Sequence, residues 1–337
     1  MKKIRKVFVA GPANAARSAL VRRLKVNGLT DDQIDTREED ELNICDQMAI
    51  RSYLRKSTPD QIYITAGPWG NPSDSDQRRG SYLAEALLGP VQLIHEAMYA
   101  GVRKLLFVAS HQIYGRHMML PIAEEDLTHA GLDPLGNPLA IAHTAGIRLC
   151  EAYTHEFGDV LGLQYRSVVV GHLYGPDDDL DPCKAGELQA LMRHIHQAKV
   201  FKLSSVSIGS NGLRRSDWLH ADDMADACIK LLGLPQVVHT ALTKPNRAQL
   251  NVGSGRACTT LELAQAVTRV VGYKGELKVE CDHADDGQDV VLDTNRMRST
   301  GWEPHIDLQV GLAQMYRDFK QQARKLTSAR CGATGPR

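Results

Sequence analysis

Short aliphatic runs alternate with helix-periodic stretches along most of this chain, and few architectures absorb that alternation. Residues 6–10 (KVFVA), 42–46 (LNICD), 61–66 (QIYITA), 104–110 (KLLFVAS) and 166–170 (RSVVV) read as strands. Between them, residues 18–26, 47–55, 82–100 and 137–157 carry apolar side chains at helical spacing. Strands that bracket helices in this order form parallel units joined by crossover helices. The expected fold is therefore α/β, a doubly wound parallel sheet with a smaller C-terminal lobe. The main domain is expected to span residues 1–178, with 217–256 returning to it. Residues 179–216 and 257–326 form the second lobe, and 327–337 a disordered tail.

With 337 residues the chain is long enough for a large core and an appended lobe. Lys and Arg balance Asp and Glu at 40 each. No basic run is interleaved with aromatic residues, so neither nucleic acid nor an anionic membrane is implied as a partner. No apolar run reaches the length of a bilayer span. The 7 cysteines are scattered without metal spacing, which reads as reduced thiols and a cytoplasmic protein.

The turn after the first strand is the place to look for a nucleotide. A dinucleotide turn calls for glycines that bend the chain, admit a pyrophosphate and let the helix pack on the strand. Here GPANAAR offers Gly11, Asn14 and Arg17 at those places. Asn14 can take φ > 0 and keep the turn. Arg17 either binds phosphate or marks an eroded loop. Arg37 stands where an arginine would hold an NADP 2'-phosphate, crowded by Glu38, Glu39 and Asp40. Asp46 either accepts from an adenine amine or caps the next helix. Ser110 ends a strand, where ligands of such sheets bind. In residues 137–157, Asn137 and Pro138 open a helix, Leu139 and His143 share a face at i and i+4, and Ile147, Cys150 and Tyr153 continue an apolar stripe.

Taken together, KLLFVAS…IYG, NPLAIAHTAGIRLCEAY, LYGPDD, DWLHADDMADA, NVGSG, TLELAQAVTRVVGYKG and LDTNRMRSTGWEPHIDLQVGLAQMY resemble the GDP-L-fucose synthase family. Its members are extended short-chain dehydrogenases/reductases that epimerise and reduce GDP-4-keto-6-deoxymannose with NADPH. The resemblance implies a Rossmann-like fold, NADP as cofactor and a GDP-sugar lobe. It also implies a homodimer built on helices 82–100 and 139–157, with a heteromer containing an intact relative as the alternative. It further implies chemistry that the residues do not supply. The family's Tyr and Lys fall on Leu139 and His143, its Cys on Gln112 and its His on Gly186, and only Ser110 is kept. In the sugar lobe Arg193 is kept beside His194. Arg215 is one residue out of register with a phosphate-binding Arg, at whose place Ser216 stands. Asp289 and Val290 replace an Arg-Lys pair, with Asp282, Asp285 and Asp286 nearby.

These losses support a protein without the family reaction, a pseudoenzyme kept for binding or assembly. The alternative is an active epimerase or oxidoreductase with rearranged residues. Ser110, His111, His143 and His172 would resemble a hydrolase site with His143 as base for Ser110, but no carboxylate at suitable spacing accompanies them. His194 and His196 fall on different helix faces, and Tyr114 reads as packing. The binding of NADP is expected to be weak or absent. Ile147 and Tyr153 are expected either in a dimer seam or in the core.

Overall fold

The computed structural model describes residues 4, 6–38, 40–65, 79–115, 118–128, 137–177, 186–208, 212–244, 246–279 and 288–332. The strands are β1 (Val7–Ala10), β2 (Ile34–Asp35), β3 (Gln61–Thr65), β4 (Lys104–Ser110), β5 (Gln164–Val170), β6 (His172–Tyr174), β7 (Ser205–Ser207), β8 (Arg215–His220), β9 (Leu250–Val252), β10 (Ala257–Thr259) and β11 (Glu276–Lys278). The helices are α1 (Ala15–Val26), α2 (Gln47–Ser57), α3 (Arg79–Tyr99), α4 (Pro138–Leu161), α5 (Glu187–Val200), α6 (Ala221–Gly233), α7 (Gln236–Leu242), α8 (Thr260–Val271), α9 (Asn295–Ser299) and α10 (Leu308–Gly332).

A six-stranded sheet in the order β2-β1-β3-β4-β5-β9 forms the centre, and all its pairings are parallel. The inner strands are largely buried on both faces because alternate residues feed different cores. Phe8, Ile62, Ile64, Leu105 and Phe107 pack with Leu93, Ile94, Ile147 and Cys150 of α3 and α4. Val7, Val9, Tyr63, Leu106 and Val108 pack with Leu20 of α1 and Met224 and Leu231 of α6. This is the doubly wound sheet expected from the sequence. The strand order reverses between β1 and β3, and their carboxyl ends mark the crevice where such sheets take ligands.

The chain departs from the expected elements in three places. Residues 42–46 form a loop, and the second strand is the short Ile34–Asp35. Leu42 and Ile44 are apolar because the loop drops them onto the core. Strand β8 belongs to a three-stranded sheet with β10 and β6, so the segment returning to the main sheet contributes α6 and the edge strand β9. The last helix continues to Gly332, past the expected start of a disordered tail. Residues 333–337 lie outside the described residues, as do 66–78 and most of the acidic loop after Tyr174. A further core joins Leu188, Met192 and Ile195 of α5 to Trp218, Val267 and Tyr316. Among the described residues, no helix is long and apolar enough to cross a membrane.

Candidate active site

The first turn keeps one glycine and needs it. Gly11 has φ +132°, and a Cβ there would overlap the Oγ1 and carbonyl of Thr65 at the end of β3. Asn14 does not take the positive φ that the sequence allowed. At φ −147° it is extended and serves as N-cap of α1, its Oδ1 accepting the Arg17 N–H at 3.0 Å. The helix accordingly starts at Ala15, earlier than its apolar stripe suggested. The side chain of Arg17 is buried and donates through Nη1 to the carbonyls of Gly11 and Arg37, both at 3.1 Å. Its Nη2 forms an ion pair with Glu38.

Arg37 sits just beyond β2, but its acidic neighbours are not those read from the sequence. It pairs with Asp35 at 3.1 Å and faces Glu41 at 4.0 Å, with its guanidinium 5.7 Å from the centre of the Tyr53 ring. The nearby Asp35 carboxylate, followed by Tyr53, raises its pKa above the ordinary arginine value. Glu38 is turned to Arg17 instead, and Glu39 lies outside the described residues. Asp46 caps α2, accepting from the N–H groups of Met48 and Ala49 at 2.9 and 3.1 Å.

At the end of β4 the geometry is built around the backbone of Ser110. Its N–H donates to Nδ1 of His143 at 2.9 Å, which places the proton of the neutral imidazole on Nε2. The His143 ring is fully buried, edge-on to Phe107. Gly146, one turn on, brings α4 close enough that a Cβ would meet the Phe107 ring at 2.7 Å. The Oγ of Ser110 accepts from the Gln112 N–H at 3.3 Å, and because Nδ1 of His143 is taken by the backbone N–H, with the ring proton on Nε2, the imidazole is not arranged as a base for the hydroxyl. Gln112 accepts from the Asn137 amide at 3.1 Å, while Asn137 caps α4. Leu139, also buried, packs with Ala86 and Ala142 against Tyr82, Leu83 and Leu87. Tyr114 is core: its hydroxyl donates to Asn251 Oδ1 at 2.6 Å, and burial raises its pKa far above the usual tyrosine value.

In the second lobe Arg215 meets Asp289, its N–H and Nε donating to the carboxylate oxygens at 2.8 and 3.1 Å. Ser216 is buried in β8. Arg214 pairs with Glu187, the first residue of α5, and Gly186 is that helix's N-cap. Arg193 is half-buried on α5, His194 is exposed, and His196 is within 2.9 Å of the Tyr316 hydroxyl, so the two histidines do fall on different faces. Asp282, Asp285 and Asp286 lie outside the described residues. Among the described residues no group of three or more His, Cys, Asp or Glu is arranged to hold a metal.

Sequence reasoning grouped His111 with His172 but missed the third ring of their cluster, Trp218. His111 lies 4.6 Å from His172, and His172 lies 4.8 Å from Trp218, its register partner across β6 and β8. Burial pushes the pKa of His111 down to about 4 against the pull of the Val170 and Gly171 carbonyls. Burial drives His172 well below 6.5, with His111 and Arg214 adding to the effect. Burial and then Arg166 bring His239 to about 4.

These imidazoles are kept neutral by the fold, which fixes the sign of their pH effect. Each has a folded-state pKa below its unfolded value, so its contribution is fully present above pH 6.5 and is lost as pH falls towards 4. The urea midpoint should drop over that window. Buried Glu124 and Asp217 are shifted upward by desolvation and oppose the trend, so His239→Gln is the control. Its midpoint should fall less steeply with acid than that of the wild type, and equal slopes would remove His239 from the account.

The parallel sheet, its switch point between β1 and β3 and the appended lobe define a Rossmann-like scaffold of the extended short-chain dehydrogenase/reductase type. The chain belongs to the NAD dependent epimerase/dehydratase family, whose model matches residues 7–249. It is 35% identical to the GDP-L-fucose synthase of Escherichia coli (strain K12) over 314 residues, 93% of this chain and 96% of that protein. It superposes with a TM-score of 0.85 on a GDP-D-glycero-L-gluco-heptose synthase from Campylobacter jejuni crystallised in the presence of NADPH. That match is 26% identical and covers 95% of this chain and 99% of the other. A GDP-mannoheptose C4 reductase from the same organism, with NADP bound, is also 26% identical and superposes at 0.83 over 95% and 99% of the two chains. The resemblance read from the motifs is thereby shown. The chain is a GDP-L-fucose-synthase-like member of the family.

Proposed function

We infer that this chain does not carry out the NADPH-dependent epimerase-reductase reaction of GDP-L-fucose synthases and is retained for binding or assembly. The observation that carries the reading is the state of α4. Reduction of a 4-keto sugar needs a proton donor at the carbonyl, and epimerisation needs groups that remove and return protons beside it. Leu139 has no ionisable group, and His143 is buried with Nδ1 committed to the Ser110 backbone. Gln112 and Gly186 supply neither acid nor base.

The residues present also fit NADP poorly. Arg17 and Arg37, the cations nearest the expected phosphates, are each paired with a carboxylate of the chain itself. The assembly reading rests on the half-exposed apolar side of α3 and α4, with Leu88, Ile141, Ala145 and Leu149 available to a second copy across a two-fold axis. A catalytically intact relative is the alternative occupant.

Purified protein incubated with GDP-4-keto-6-deoxymannose and NADPH should consume no NADPH and yield no GDP-fucose by anion-exchange chromatography. Turnover that Ser110→Ala abolishes would overturn the reading.

A further inference from the structure

Arg17 is the odd side chain of the first turn. It is one of the largest residue types, on a helix that otherwise buries Ala15, Ala16 and Ala19 close to it. Its guanidinium lies across the carboxyl ends of β1 and β2, bonded to the Gly11 carbonyl on one side and to Arg37 and Glu38 on the other. In doubly wound sheets a dinucleotide lays its pyrophosphate over the first βα turn and its adenosine ribose beside the end of the second strand. Arg17 bridges that same span.

We propose that Arg17 is a resident plug of the dinucleotide groove. It straps the Gly11 turn to residues 37 and 38 and excludes NADPH instead of gripping its phosphates. The inference deepens the functional reading above at the cofactor end of the site. Three observations carry it. Three N–H donors of the Arg17 guanidinium are already taken by the protein, so turning them to a phosphate would mean giving up two carbonyls and a carboxylate. Glu38 sets a negative charge beside the place of the ribose, and like charge disfavours a phosphate there. Arg37, the other cation at this edge, is held by Asp35 and Glu41 and rests on Tyr53.

The Glu38 carboxylate is half exposed, so the ion pair alone contributes little. What fixes the guanidinium is its burial together with both carbonyl bonds. In the second lobe, too, Arg215, out of register with the family's phosphate-binding arginine, is paired internally, with Asp289.

The sign of one mutation decides between plug and phosphate ligand. Full-length wild type, Arg17→Gly and Arg17→Ala are titrated with NADPH by nicotinamide fluorescence and calorimetry, with circular dichroism as the check of folding. Arg17→Ala retains helix propensity where glycine costs some, so it carries the test if Arg17→Gly does not fold. The wild type should show no saturable binding up to about 1 mM, and a folded variant should bind at least about tenfold more tightly. Tight binding by the wild type that Arg17→Ala weakens would overturn the proposal, as would a folded Arg17→Ala that binds no better than the wild type. The outcome is separable from the functional reading: wild type that binds NADPH yet makes no product removes the plug and leaves the loss of chemistry standing.

Discussion

Ile147→Glu is expected to unfold the monomer, not to release one from a dimer. The sequence allowed Ile147 either in a two-fold seam or in the core, and its side chain is fully buried among the residues of α3, β4 and α4. Cys150 is buried with it, and burial pushes its thiol pKa up to about 12. Tyr153 is half-buried with its hydroxyl 2.5 Å from Nδ1 of His95 on α3. The stripe is internal packing. A glutamate at 147 forfeits the isoleucine contacts and strands a carboxylate with no cation, a change of about 5 kcal/mol or more against a typical total of about 5–15 kcal/mol. Circular dichroism should show loss of helix, and the purified variant should aggregate. The seam is tested instead at Leu88, which is 43% exposed on α3. Leu88→Glu should stay folded and sediment as a monomer where the wild type sediments as a dimer. A folded, monomeric Ile147→Glu would restore the seam reading, and wild type monomeric at micromolar concentration would remove the assembly argument.

The parts of the fold that were legible are those governed by local periodicity. β1, β3, β4 and β5 are runs long enough to declare themselves, and the Asn137-Pro138 start of α4 is a capping signal read directly from residue types. β2 was missed because a strand of Ile34 and Asp35 has no run to read, whereas Leu42 and Ile44 mimic one from a loop. The site was legible as a set of residue types and illegible as a set of partners. The motif placed Arg17 and Glu38 near a nucleotide, but their pairing joins a helix to the loop after the next strand, across a separation of 21 residues. That Trp218 joins His111 and His172 required the turn after β4 to converge with β6 and β8. That Leu139 and His143 share a helix face followed from their spacing; that this face had been taken into packing did not.

Reinstalling the family pair, Leu139→Tyr with His143→Lys, should therefore cost stability and restore nothing. The His143 site is closed to solvent, and its Nδ1 is the acceptor for the Ser110 N–H. A lysine offers no acceptor, so that N–H is orphaned at about 1–3 kcal/mol, and an ammonium buried beside Phe107 carries its own desolvation cost. Leu139 lies between Ala86 and Ala142 with Tyr82, Leu83 and Leu87 around it, where a tyrosine ring overpacks by about 1–3 kcal/mol. The two positions are neighbours on one helix face, so their costs do not simply add. A total loss of about 4 kcal/mol or more is expected, read as a lower urea midpoint at unchanged slope. Turnover should stay at background even where the variant folds, because Gln112, Gly186 and the Arg17 turn are unchanged. A double variant as stable as the wild type that oxidises NADPH with the keto sugar would show instead that α4 still presents a working face to the cleft.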